Sequence, residues 1–123
     1  MFSWVHLALV ILGGVIGTAA RLGITLTCGE GLGPALVPVV NVAGAFLLGL
    51  VLGAGTRSRA ARTTAGAQHF LGAGILGGFT TYSALAVESV EPAGLAWGAA
   101  TVIAGTLAAW AGVVVARRRK APR

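Results

Sequence analysis

The sequence has little charge, and acidic residues are the scarcest of all. Its 123 residues include three Asp or Glu, and charged residues of both signs make up 10% of the chain. A soluble domain carries about a quarter charged residues. The composition therefore excludes a soluble globular enzyme and a charged disordered tail. The single cysteine, Cys28, also excludes an intrachain disulfide and a cysteine metal cluster.

Apolar residues are abundant instead, at 56% of the chain, and the mean hydropathy is +0.88. Each of four stretches is long enough to cross a hydrocarbon core of about 30 Å as a helix. The sequence thus predicts an all-α integral membrane protein, one domain of four transmembrane helices. The predicted spans are Trp4–Thr27, Ala35–Gly55, Ala65–Val87 and Ala93–Ala116, and the basic tail is Arg117–Arg123. Because Met1–His6 holds no Lys or Arg, the first span is expected to be a retained helix and not a cleaved signal peptide.

The net charge of +6 comes from basic residues that lie in short clusters beside the apolar stretches. Such clusters orient membrane proteins and contact anionic lipid head groups. The chain is therefore expected to contact membrane lipid and not to bind nucleic acid.

Glycines recur four residues apart, so that both members of a pair lie on one face of a helix. Such a face lets a neighbouring backbone approach closely. The pairs predict close packing within one subunit, and also a close-packed dimer. They are Gly13 and Gly17, Gly49 and Gly53, and Gly74 and Gly78.

Polar side chains inside the predicted spans are the candidate functional residues, because a polar group in hydrocarbon is costly unless it has a partner. Asn41 could bond a neighbouring helix or donate to a passing ion. Arg21 could anchor the end of the first span or attract anions. Thr101 and Thr106 could bond their own helix or donate to an anion.

The third span contains the stretch Gly77-Gly78-Phe79-Thr80-Thr81-Tyr82-Ser83. Two glycines followed by two threonines are poor helix formers, so this stretch could break the helix at mid-membrane. A break would free carbonyl oxygens, which are hard ligands suited to Na⁺, Mg²⁺ or Ca²⁺. The alternative is an intact helix with a glycine-rich packing face, and the pattern alone favours this alternative. No span contains a carboxylate pair or a nucleophile set, so the sequence does not predict an enzyme.

Three motifs in this order resemble the Fluc/CrcB family of fluoride channels. They are Gly13-Gly14-x-x-Gly17-x-x-x-Arg21, Val40-Asn41-x-x-Gly44 and the stretch from Gly77 to Ser83. The family usually has Phe-x-x-Phe after the double threonine, where this chain has Tyr82 and Leu85.

The resemblance implies a passive channel that exports fluoride across the plasma membrane of a prokaryote and lowers its toxicity. It implies a third helix broken at mid-membrane, and an antiparallel, dual-topology dimer. One structural Na⁺ at the dimer centre would be held by the main-chain carbonyls of Gly77 and Thr80. The resemblance also implies a fluoride pathway and a basic residue at its vestibule. The pathway residues would be Asn41, Tyr82, Ser83, Thr101 and Thr106, and the vestibule residue would be Arg21.

Two other functions fit a small four-span chain. A small multidrug-type antiporter would exchange a proton for a cation at an intramembrane carboxylate, whereas Glu30, Glu88 and Glu91 all fall at span ends. A non-transporting assembly subunit would use the glycine faces alone, and would leave Asn41 and the third-span stretch without a role.

The basic residues predict that both termini are cytoplasmic. Four crossings place the amino terminus, the middle loop and the tail on one side, and that side holds all basic residues except Arg21. Short loops follow the positive-inside rule. A reporter fused to the carboxyl terminus should therefore be active only in the cytoplasm. The residues counted are Arg57, Arg59, Arg62, Arg117, Arg118, Arg119, Lys120 and Arg123.

This bias bears on the partner as well as on the orientation. A subunit that inserts both ways should have almost no charge bias, so we expect a homologous, inverted chain in a heterodimer. The alternative is an antiparallel homodimer. A tail found equally on both faces of the membrane would contradict the predicted orientation.

Overall fold

The computed structural model describes residues 3–55, 65–90 and 92–119. The predicted loop over residues 56–64 and the end of the tail lie outside the described residues. Within them the chain is helical and contains no strand, as expected. The elements are α1 (Trp4–Leu32), a 3₁₀ turn (Gly33–Ala35), α2 (Leu36–Gly55), a π-helix (Gln68–Leu76), α3 (Gly77–Phe79), α4 (Tyr82–Glu88) and α5 (Pro92–Arg119).

Three helical segments are long and apolar enough to cross a membrane: Trp4–Gly55, Ala65–Val87 and Pro92–Arg118. Their outward side chains are apolar; Trp4 is 76% and Leu26 77% exposed. An apolar exterior of this kind suits lipid and not water.

The first of these segments turns at Gly33, where φ is +49° and Pro34 follows. Without a side chain, glycine adopts this backbone conformation at no steric cost. Helix α1 reaches Leu32, five residues beyond the expected end at Thr27, so most of the predicted connection is helical. The stretch from Cys28 to Leu32 contains no proline, and the positive φ at Gly33 is what ends the helix.

The last helix is also longer than predicted. It begins at Pro92, whose fixed φ suits the first helical position, and continues to Arg119. The first three residues of the predicted tail are therefore helical.

Glycines bring α1 against the π-helix and α3. Gly13 and Gly17 are buried on α1. A Cβ built on Gly13 would lie 2.8 Å from the Cα of Gly74, and one on Gly17 would overlap the carbonyl oxygen of Ile75. Residue numbers rise together along this contact, so the two helices run in parallel.

A second glycine face joins α2 to α5. A Cβ on Gly49 would overlap the carbonyl oxygen of Ala109, and one on Gly53 would lie 2.8 Å from that of Val113. These two helices also run in parallel. The predicted packing of the glycine pairs within one subunit is confirmed.

Helix α2 runs against the direction of the third segment. Asn41 meets Thr81, whereas further along α2 the side chain of Leu48 lies beside Gly72. Because α1 is parallel to that segment, α1 and α2 run in opposite directions on the two sides of the Gly33 turn.

The π-helix is a feature that the sequence did not predict. At its end the Gly77 N–H donates to the carbonyls of Gly72 and Gly74. Near its start the ring of His69 stacks on that of His6, with centroids 4.3 Å apart. π-Helical turns are rare and frequently occur near functional sites, and this one directly precedes the interruption described below.

We predict that Gly17→Ala destabilises the protein by about 1–3 kcal/mol, since the added methyl group meets the backbone of Ile75. Gly23→Ala is the matched control on the same helix, because a Cβ there meets no atom within 4 Å. Thermal unfolding in detergent compares the two variants. Equal unfolding temperatures would contradict the packing described for Gly17.

Candidate functional site

The third apolar segment is interrupted between α3 and α4. Thr80 (φ −77°, ψ 157°) and Thr81 (φ −141°, ψ 112°) have extended backbones, and helix resumes at Tyr82. The predicted break in this segment is therefore present. It lies inside the apolar range Ala65–Val87, where peptide groups need partners from the protein.

Asn41 of α2 supplies those partners to Thr81. Its Nδ2 donates to the Thr81 carbonyl at 3.0 Å, and its Oδ1 accepts from the Thr81 N–H at 2.8 Å. The Thr81 side chain is only 9% exposed. The Asn41 amide thus bonds both the N–H and the carbonyl of Thr81, as the backbone of a neighbouring β-strand would.

Two carbonyls lose their helical donors at the break. In a continuous helix the N–H of residue i donates to the carbonyl of residue i−4. The Thr81 N–H donates to Asn41 instead of Gly77, and the Ala84 N–H donates to the Thr81 hydroxyl at 3.3 Å instead of Thr80. The carbonyl oxygens of Gly77 and Thr80 are therefore available as ligands of a hard cation such as Na⁺.

Two further helix contacts hold the residues around the break. A Cβ on Gly44 of α2 would overlap Thr80 Cγ2 and lie 3.3 Å from the Phe79 ring. On the other side, the hydroxyl of Thr18 in α1 donates to the Gly78 carbonyl at 3.4 Å. The break thus lies between α1 and α2.

Sequence reasoning missed the roles of Thr18 and Thr81. Thr81 is the N-cap of α4 and accepts from Ala84. A threonine just before a helical stretch is a recognisable capping signal. The signal for Thr18 was weaker, a lone hydroxyl after Gly17 on a glycine face.

Tyr82 and Ser83, both predicted pathway residues, lie on the first turn of α4 beside Asn41's partner. Tyr82 is 84% exposed. The Ser83 hydroxyl lies 3.3 Å from that of Thr81. The structure therefore brings Asn41, Tyr82 and Ser83 to the same break.

The predicted threonines of the last helix lie on α5 and bond their own helix. Thr101, 6% exposed, donates to the Trp97 carbonyl at 2.9 Å. Thr106 is exposed and donates to Val102 at 2.8 Å. Thr101 also lines an apolar groove of about 710 Å³ between α2 and α5, together with Val42 and other residues.

Arg21 lies on α1, one turn beyond Gly17. The residue is part-buried, and within the described part of the chain its Nε is buried with no hydrogen-bond partner. The guanidinium therefore brings a positive charge to the apolar segment of α1.

Long apolar helices define the class of this protein, a multi-pass helical membrane protein. Residues 8–113 match the family described as "CrcB-like protein, Camphor Resistance (CrcB)". The chain belongs to this family. No solved structure matches it.

Individual relatives are similar over most of their length. "Fluoride-specific ion channel FluC" of Chelativorans sp. (strain BNC1) is 36% identical over 122 residues, 91% of this chain and 96% of that protein. The protein of the same name from Sorangium cellulosum (strain So ce56) is 38% identical over 117 residues, 87% of this chain and 91% of that protein. "Fluoride-specific ion channel FluC 2" of Bacillus subtilis (strain 168) is 38% identical over 115 residues, 89% of this chain and 86% of that protein.

We predict that Thr81→Ala destabilises α4 by about 1 kcal/mol, the usual cost of a lost N-cap. Amide hydrogen exchange of Ala84, whose N–H the Thr81 hydroxyl accepts, should become faster. Thr25→Ala is the control, because that hydroxyl is exposed and bonds its own helix at Arg21. Unchanged exchange at Ala84 would contradict the capping role.

Proposed function

We propose that this chain is a subunit of a fluoride-selective channel that passively exports fluoride across a bacterial plasma membrane. The observation that carries the proposal is the likeness over most of the chain to relatives named fluoride-specific ion channels. The geometry suits it, since amide and hydroxyl groups collect at one break inside an apolar segment.

Four crossings are part of the proposal. The Trp4–Gly55 segment has 52 residues, about 78 Å of helix at 1.5 Å per residue. A bilayer core is only about 30 Å thick. The turn at Gly33 and the opposite directions of α1 and α2 support two crossings within this segment.

Fluoride must exchange a tightly held hydration shell for protein donors without being trapped. The Asn41 amide has a second N–H besides the one given to Thr81. The Ser83 and Tyr82 hydroxyls and the positive ring edge of Tyr82 are further donors. Neutral groups attract an anion without the full charge that would hold it.

The Thr101 and Thr106 hydroxyls donate to carbonyls of their own helix. To donate to fluoride, each O–H would have to rotate away from that carbonyl. Arg21 would act at a distance, by raising the local anion concentration at a vestibule.

The Gly77 and Thr80 carbonyls are the proposed ligands of one structural Na⁺, which would supply a fixed positive charge at the break. Two carbonyls from each of two subunits provide four oxygens. The proposed assembly is therefore an antiparallel dimer, with a homologous inverted chain or with a second copy of this one.

The test is fluoride efflux from liposomes that contain the purified chain, measured in Na⁺ and in N-methyl-D-glucamine buffer. We expect fluoride-selective efflux that depends on Na⁺ and is independent of a proton gradient. Proton-coupled cation exchange would favour the antiporter, and absence of transport by this chain, alone and with a homologous partner, would favour the assembly subunit.

We predict that Asn41→Asp reduces fluoride efflux at least about tenfold. The carboxylate removes the amide donors and adds a negative charge beside the path of an anion, and at an effective dielectric constant of 20 such repulsion amounts to several kcal/mol. Thr25→Ala is the control for reconstitution. Near-normal efflux from liposomes that contain the Asn41→Asp variant would contradict the role of Asn41 as a pathway donor.

A further inference from the structure

Both polar atoms of the Asn41 amide are hydrogen-bonded to Thr81, which has no proposed role in the fluoride pathway or the sodium site. The Nδ2 and Oδ1 atoms bond the carbonyl and the N–H of Thr81, at 3.0 and 2.8 Å. A residue that served only to donate to an ion would not need its oxygen bonded to a backbone N–H. The hydrogen bond from the Thr81 N–H to Asn41 Oδ1 therefore has an effect besides placing a donor near an ion.

This hydrogen bond affects the carbonyl of Gly77. The Thr81 N–H is the donor that a continuous helix would offer to the Gly77 carbonyl. While Asn41 Oδ1 accepts it, the Gly77 oxygen stays available to another ligand. Without Asn41, a helical bond from the Thr81 N–H to the Gly77 carbonyl would satisfy the N–H, because a buried N–H without a partner is costly.

Helix α2 is a firm support for this bond. It packs closely on α5 through Gly49 and Gly53, where an added Cβ would meet the backbone of Ala109 and Val113. Three residues beyond Asn41, Gly44 receives the Thr80 methyl group and the edge of the Phe79 ring. Helix α2 thus fixes the break by two hydrogen bonds to Thr81 and a close contact with Thr80.

We propose that Asn41 is a positioning residue of the sodium site, which keeps the Gly77 carbonyl free by holding the Thr81 N–H. The inference rests on the sodium site of the proposed function and deepens it. A donor that only touched fluoride would change efflux and leave the response to Na⁺ intact. A positioning residue changes the response to Na⁺ itself.

The readout is the unfolding temperature of the purified full chain, with Na⁺ exchanged for N-methyl-D-glucamine. Asn41→Leu has nearly the same shape and removes both bonds. We expect the wild type to be stabilised by Na⁺, and Asn41→Leu to lose more than half of that rise. Val40→Ala is the matched control: Val40 is 4% exposed, so this variant should unfold at a lower temperature in both salts and keep the full rise.

Asn41→Ala is a second variant for the case that Asn41→Leu does not fold. It removes both bonds to Thr81 with a smaller side chain, and it should also lose more than half of the Na⁺-dependent rise. Thr81→Ala removes only the capping hydroxyl and keeps the N–H that Asn41 Oδ1 accepts, so it should keep the rise.

The outcomes separate this inference from the function on which it rests. If the Asn41 variants keep the wild-type rise but lose efflux, Asn41 is a pathway donor only, and the inference fails while the channel stands. A wild-type chain that transports fluoride but is not stabilised by Na⁺ would overturn the sodium site and the inference together.

Discussion

The constraint on which this structure depends is that peptide groups inside an apolar segment must be hydrogen-bonded by the protein. A continuous helix meets it without help. The break at Thr80 and Thr81 does not, and the chain repairs it with one amide from α2 and one hydroxyl from Thr81 itself. The rest of the architecture brings α2 close enough for that amide to reach.

Glycine makes that approach possible. The buried faces of α1 and α2 carry glycines where a single methyl group would meet the neighbouring backbone. Among the residues that the structure describes, few large side chains are buried; Val40 and Leu76 are two of them. Without water to drive apolar burial inside the bilayer, close backbone packing is what holds helices together. This packing fixes the break to within the tolerance of a hydrogen bond.

The same arrangement gives the break its proposed chemistry. Redirecting two N–H donors leaves the Gly77 and Thr80 carbonyls without helical partners, while the neighbouring amide and hydroxyl groups present neutral donors. In the proposed function, one short stretch of backbone would bind a cation beside the path of an anion. Carbonyl oxygens would bind the cation and neutral donors would contact the anion, so neither role requires an acidic residue. The chain contains only three acidic residues.

The sequence alone determined the class, the apolar segments and the polar residues of interest, and the break followed from the family resemblance of its motifs. Composition and helix propensity are local properties, and the glycines and threonines from Gly77 to Thr81 disfavour helix wherever they lie. Only the tertiary structure decided that Asn41 bonds Thr81, that α1 continues to Leu32, and that a π-helix precedes the break. It also decided that the Thr101 and Thr106 hydroxyls bond their own helix. These outcomes depend on which groups meet across helices distant in sequence, and a hydrogen-bond partner is chosen by distance in space.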